Sequence, residues 1–201
     1  MSELDRWQNN YATNDYIFGT GPNGFLKAET HRLKTDWKAL SLADGEGRNG
    51  VWLAERGLEV HTLDFSSNAV AKAKMLAADR GVTLKAEQAD LTQWRWPTSA
   101  YDVIVGIFFQ FANPQERARI FAGIKQALKP GGLLLLQGYR AEQLQFGTGG
   151  PKQLDHLYTR TLLEEAFKDF ASIDIRTHDS VLAEGSRHVG LSALIDLVGV
   201  K

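Results

Sequence analysis

Lys38–Asp64 reads KALSLADGEGRNGVWLAERGLEVHTLD, and this stretch decides the fold. A short apolar run, Ala39–Ala43, leads into a glycine-rich turn, Asp44–Gly47. An amphipathic segment, Arg48–Arg56, then carries Val51, Leu53 and Ala54, and a second apolar run, Leu58–Leu63, ends on the acid Asp64. That is strand, tight loop, helix, strand and acid in order, and in an open α/β sheet a ligand sits outside the carboxyl ends of the strands, where such loops lie. The loop matches G-x-G-x-x-G at Gly45, Gly47 and Gly50, and Asp64 stands 19 positions beyond Gly45, where an acid can accept both hydroxyls of a ribose. By itself the pattern suits a nicotinamide dinucleotide as well as other adenosine ligands.

Beyond Asp64 the alternation continues. Ser66 or Ser67 can cap a helix running to about Arg80, with Gly81 closing it, and Val82–Ala89 reads as a third strand ending at Asp90. Tyr101–Phe109 (YDVIVGIFF) is nearly all apolar, as a strand buried on both faces should be. Pro114 opens a helix that Lys129-Pro130-Gly131-Gly132 stops, and Leu133–Gln137 is the fifth strand. Strands separated by helices pair in parallel with right-handed crossovers. A helix at Thr161–Phe170 precedes two alternating runs, Ala171–Leu182 and His188–Val200, joined by a turn so short that they must be antiparallel. The expected architecture is a Rossmann-like α/β three-layer sandwich, a seven-stranded, mostly parallel sheet ending in an antiparallel hairpin. It forms a single domain over 1–201, in which a core, 38–201, follows a leader, 1–37. In the leader, Leu4–Ala12 and Phe25–Trp37 have helical spacing around the loop TNDYIFGTGPNG.

Composition narrows the function. Hydrophobic residues make up 43 % and charged residues 23 % of the 201, with a formal net charge of −1 and no block of like charge, so a nucleic-acid partner held by phosphate neutralisation is disfavoured. The absence of cysteine removes disulfides, thiolate metal sites and cysteine nucleophiles, and no two histidines stand at ligand spacing, so no metal is expected. MSELDRWQNN lacks the pattern of a signal peptide, and the longest apolar run is far too short for a membrane span. A cytoplasmic monomer or homodimer is the default expectation.

The ordered elements resemble the class I S-adenosylmethionine-dependent methyltransferases. ALSLADGEGRNGVWLA is similar to that family's first motif, VHTLDFSSNAVAKA to its second, and EQADL to the segment that holds adenine; YDVIVGIFFQF and LKPGGLLLLQGY are similar to those around the fourth and fifth strands. The resemblance runs from about Lys38 to Tyr139. It implies S-adenosyl-L-methionine as cofactor, with Asp64 on the ribose, Asp90 on the adenine amino group and the Leu91 amide on a ring nitrogen. Ala43, Asp44, Gly45, Gly47, Arg48, Asn49, Phe65, Ser66 and Gly106 complete the cofactor contacts it implies, with Tyr11 closing from the leader. Two positions depart from the family: Ser41 stands where an acid is usual, and Ala43 where the first glycine is. Alanine fits that turn while its φ stays negative, and Asp44 offers a nearby carboxylate. Gly47-Arg48-Asn49 and the leader YIFGTGPNGFL further resemble the small tellurite-resistance and thiopurine branch, whose leader closes over the cofactor.

Methyl transfer to a soft nucleophile (a thiol, selenium or tellurium species) needs alignment and exclusion of water more than acid–base help, whereas an oxygen or nitrogen acceptor calls for a base. Tyr16 in the leader, and His188 with Arg187 beyond the last turn, are the candidates for catalysis; Tyr11 and Tyr16 read as lid residues, while Phe18 is as well explained by packing. FGTGGPK has the composition of a flexible lid, from which Lys152 or Tyr158 can face an acceptor. Trp94 and Trp96 read as a hydrophobic cap over the sheet edge, with adenine stacking as the alternative. The partner expected is a small-molecule methyl acceptor. A nicotinamide-dependent oxidoreductase and a non-catalytic nucleotide-binding protein are the alternatives; against the first, 201 residues leave little room for a second half-fold.

Overall fold

The structure is a computed structural model that describes residues 3–201; Met1 and Ser2, the first positions of the leader, lie outside the described residues. In chain order the elements are α1 (Glu3–Asn10), α2 (Gly24–Ala28) with a 3-10 turn (Glu29–Arg32), β1 (Lys38–Leu42), α3 (Arg48–Glu55), β2 (Glu59–Asp64), α4 (Ser67–Asp79) and β3 (Lys85–Gln88). They continue through β4 (Tyr101–Ile107), α5 (Pro114–Ala127), β5 (Leu128–Tyr139), α6 (Gln143–Phe146), a 3-10 turn (Leu154–His156), α7 (Arg160–Ala166), β6 (Ser172–Glu184) and β7 (His188–Val200). The strands form a seven-stranded sheet in the order β3-β2-β1-β4-β5-β7-β6. β7 runs antiparallel to β5, so the sheet is parallel except for the final hairpin, and the expected Rossmann-like architecture is the one observed.

The residues divide into two compact units: those up to Trp94 together with Glu184–Arg187, and Arg95–Ala183 together with His188–Lys201. In the first unit, β1, β2 and β3 pair in parallel, with Leu42 opposite Leu63 and Asp64 opposite Gln88. Leu40, Leu42, Leu53 and Leu63 are fully buried there. The Ser66 hydroxyl caps α4 by accepting from the Ala69 amide, and Gly81, at φ 67°, lets the helix close. In the second unit Asn113, Pro114 and Glu116 form a capping box that starts α5, and Ile104, Ile120 and Ile124 are fully buried.

Among the boundaries that differ from the sequence reading, four have a clear local reason. The helix expected over Phe25–Trp37 ends at Arg32 because Leu33 is extended and Asp36, at φ 64°, donates its amide to the Gly57 carbonyl, turning the chain into β1. β3 starts at Lys85 rather than Val82, since the Val82 amide is spent on the Ala77 carbonyl as α4 closes. α7 stops at Ala166, short of Phe170, where the chain turns to bury Phe167 and Phe170. The Lys129–Gly132 turn lies within β5, whose pairing with β4 is irregular between Tyr101 and Val103.

Ala43 corrects a further expectation. Its φ is 44°, not negative, so an L-residue occupies the left-handed region at the mouth of the glycine loop. That conformation costs about 1–2 kcal/mol, part of which glycine gives back through its freer unfolded chain. Ala43→Gly should therefore be neutral or stabilising by up to about 1 kcal/mol, which thermal unfolding would measure.

Candidate functional site

The glycine loop follows β1 because Gly45, Gly47 and Gly50 allow a path that side chains would block. Gly45 and Gly47 have φ of 59° and 89°. A Cβ on Gly47 would stand 2.7 Å from the Ala73 Cβ, and one on Gly50 would stand 2.2 Å from Thr62 and 2.6 Å from the Asp44 carboxyl. The loop is thus pressed onto α4 and β2, with the Gly45 amide turned toward Asp64.

Asp64 ends β2 and is buried. Its oxygens accept from the amides of Gly45 (2.9 Å) and Ser66 (2.9 Å). No salt bridge neutralises it among the described residues, and burial, more than its backbone hydrogen bonds can offset, pushes its carboxyl up to about 6. Asp44 supplies a carboxylate three residues after Ser41, the position that lacks the usual acid. It accepts from the Ser41 hydroxyl (2.7 Å) and the Gly50 amide (3.1 Å), tying strand to helix, and burial pushes it up to about 7.

Both shifts have the same sign. Each carboxyl is held above its unfolded range near 4, so the stability it confers is complete below that value and is lost as pH rises through about 6 and 7. Thermal midpoints of the ligand-free protein taken between pH 5 and 8 should fall toward the alkaline side, and Asp44→Asn should flatten the fall.

Tyr11 is buried in a cluster with Ile17 and Ala69, against Trp7 and Phe18, and stacks on Trp7 at 5.4 Å. Its hydroxyl lies at the loop, 2.9 Å from where a Gly45 Cβ would be. Burial first, then the carboxylates Asp64, Glu46 and Asp44, raise the phenol well above its ordinary range. Tyr16 is half-buried; its ring packs against Val51, Leu76 and Ala77, and its hydroxyl donates to the Lys72 carbonyl (3.2 Å).

Asn49 accepts from the Asn23 amide (2.9 Å), Arg48 reaches Glu184 (2.7 Å), and half-buried Phe65 accepts from the Gln88 amide group (3.0 Å). Asp90 is exposed and accepts from the Thr92 amide (2.9 Å) and hydroxyl (2.7 Å), while Leu91 is buried. Arg187 reaches Asn10 at 3.5 Å.

In the second unit Gly106 is pressed against Phe109, whose ring a Cβ would meet at 2.4 Å. His188 stands edge-on to Phe108 (4.5 Å between centroids) and Tyr139 (6.1 Å), and Phe108 holds the unusual φ of 54° for a bulky residue. Tyr158 does not face an acceptor; it is buried, its ring filling the space beside Gly138. Lys152 is exposed, and Gln143 holds the adjoining loop through Thr148 (2.9 Å) and the Gly149 carbonyl (3.2 Å). Trp94 donates to Glu87 (3.1 Å) and stands edge-on to His61, and Trp96 lies against Gly123: both pack.

Sequence reasoning missed Gln8, Asn23, Glu46, Lys72 and Glu184. Gln8 joins α1 to the start of α4 through Ser66, Ser67 and Asn68. Glu46 and Lys72 form a buried ion pair at 2.7 Å. The signal available for Glu46 was its charge in a glycine loop where only small residues were needed; nothing local pointed to Lys72. No group of three or more histidine, aspartate or glutamate side chains among the described residues is placed to hold a metal ion, and no helix among them is long and apolar enough to cross a membrane.

Residues 39–132 match the family model described as a methyltransferase domain. A glycine/sarcosine N-methyltransferase from Halorhodospira halochloris is 33 % identical over 106 residues, 49 % of this chain and 38 % of that protein. The chain spans less than half the length of the curated relatives it matches. Among solved structures, a SAM-dependent methyltransferase from Methanosarcina mazei superposes with a TM-score of 0.72 at 19 % identity, covering 90 % of this chain and 98 % of that one. TehB from Haemophilus influenzae gives 0.69 at 18 %, covering 98 % and 66 %. At these identities the likeness is one of fold.

Proposed function

We propose that this chain is a class I S-adenosylmethionine-dependent methyltransferase that transfers a methyl group to a small-molecule acceptor, a reading supported by the methyltransferase-domain match over residues 39–132. The observation that carries the reading is the buried Asp64 carboxylate, which accepts from the Gly45 amide of the glycine loop and the Ser66 amide at the start of α4 and has no salt bridge among the described residues, in the place where ribose hydroxyls would satisfy it. S-adenosylmethionine supplies a methyl already activated on sulfur. Asp64 accepts from the ribose, Asp90 and the Leu91 amide hold the adenine, and the glycine backbone leaves room for the methionine end. Tyr11 covers the loop and excludes water. Arg48 and Asn49 act on the leader, so their share in cofactor binding is indirect.

The acceptor we favour is a soft nucleophile, a thiol or a selenium or tellurium species, for which alignment suffices. The fold-level likeness to TehB and the GRN turn support this branch; the relative named for glycine and sarcosine supports an amine as the competing class. For an acceptor that must lose a proton, His188 is the base we assign. Tyr16 and Arg187, engaged by Lys72 and Asn10, hold the leader rather than touch an acceptor. In this reading the chain is one domain with 1–37 as its leader, soluble in the cytoplasm.

Calorimetry with S-adenosylhomocysteine tests the cofactor: a silent titration of the wild type overturns the proposal, and quenching of NADH fluorescence on mixing would favour the oxidoreductase instead. A panel of thiols, amines, phenols and metalloid oxyanions, scored by S-adenosylhomocysteine release, separates the acceptors. Turnover confined to amines would remove the soft-nucleophile assignment.

A further inference from the structure

We propose that Glu184, the last residue of β6, is a positioning residue for cofactor binding: it grips Arg48 and Asn23 and through them locks the leader over the glycine loop. This rests on the cofactor reading above. One Glu184 oxygen lies 2.7 Å from the Arg48 guanidinium, and the other accepts from the Asn23 side chain (3.1 Å) and the Gly24 amide (3.1 Å). The two charged side chains are only 7 % and 14 % exposed. Asn23 in turn donates its backbone amide to Asn49 (2.9 Å), so the leader is bound to the first turn of α3 from both sides.

The clasp continues along the leader. The Phe18 carbonyl accepts from Arg48 (3.5 Å) and its amide donates to Glu46 (3.4 Å), so one residue of the leader is bracketed by the charges at 46 and 48. Glu46 is held by Lys72, whose ammonium also donates to the Asp15 carbonyl (2.6 Å). On the other side, Ser186 donates its amide (2.8 Å) and hydroxyl (3.2 Å) to the Ile17 carbonyl. A Cβ on Gly185 would stand 2.4 Å from that same carbonyl oxygen, so the turn lies directly on the leader backbone.

A leader that merely covered apolar surface would need none of this. Buried ion pairs recover their desolvation only with good geometry and further hydrogen bonds, and they specify one arrangement rather than add bulk stability. What this arrangement fixes is Tyr11, carried by the leader, at Gly45 beside Asp64. Weakening the clasp lowers the fraction of molecules with the leader closed, and apparent affinity falls by that fraction.

The test compares wild type and Glu184→Gln by calorimetry with S-adenosylhomocysteine and by steady-state methyl transfer. Glu184→Gln should raise Kd, and KM for the cofactor with it, by about tenfold while kcat at saturating cofactor is kept. A folded variant that binds as tightly as the wild type, or one that loses kcat with KM unchanged, overturns the proposal. Hydrogen exchange on the wild type keeps the question open to test should the variant not fold. Adding S-adenosylhomocysteine should slow exchange at residues 17–24 and 184–187 together, and slowing at the leader alone refutes the clasp. A wild type that binds no S-adenosylhomocysteine defeats the methyltransferase reading itself.

Discussion

Asp64→Asn should weaken S-adenosylhomocysteine binding by roughly 100-fold, because it removes charge-assisted hydrogen bonds worth about 1.5–3 kcal/mol. The variant keeps the shape of the side chain but not its charge. It also turns an amide donor toward the Gly45 or Ser66 amide, so a modest loss of thermal stability should accompany the loss of affinity. The pH dependence separates the two effects. The carboxyl is raised to about 6, and the ligand's hydroxyls call for the ionised form, so wild-type affinity should strengthen as pH rises through 6. The variant should show no such strengthening. Equal Kd values for the two proteins at pH 7.5 would remove Asp64 from the site.

Gly47→Ala should lower the thermal midpoint by roughly 4–20 °C. Left-handed backbone costs an alanine about 1–2 kcal/mol, and forcing a methyl into a packed contact adds about 1–3 kcal/mol. For a chain of this size each kcal/mol is worth about 2–4 °C. The contact is with the Ala73 Cβ and Cα, at 2.7 and 2.8 Å, so no flexible side chain can swing away. Gly81→Ala is the control: its φ is also positive, at 67°, but nothing lies within 4 Å, so it should show only the backbone part. Equal losses in the two variants would mean that α4 shifts freely.

The parts of the fold that were legible before the structure are those governed by neighbours in sequence. The strand, loop, helix and strand of Lys38–Asp64, the helix starts at Ser66 or Ser67 and at Pro114, and the terminal hairpin all follow from local chemistry. Misjudged ends, at Arg32 and Lys85, were settled by hydrogen bonds that periodicity does not encode: Asp36 to Gly57, and Val82 to Ala77. Within the site, the glycines and Asp64 announced themselves by spacing. Asp44 was noticed, but its bond to Ser41 could not be read, since it depends on the left-handed turn at Ala43. Glu184 lay beyond sequence reading altogether, since its partners Asn23 and Arg48 are far away along the chain.

That distance bears on the order in which the protein is made. Ile17 waits for Ser186, 169 residues later, and Gly24 waits for Glu184, 160 later. During synthesis an N-terminal unit ordinarily folds first, but here the bonds of its outer segment to residues 184–186 form only after those residues have been made. Contacts of such range are slow to close. A nascent chain stalled before Glu184 would carry the glycine loop and Asp64 with the leader held by its bonds to Glu46, Arg48, Asn49 and Lys72, but without the clasp at Gly24 and Ile17.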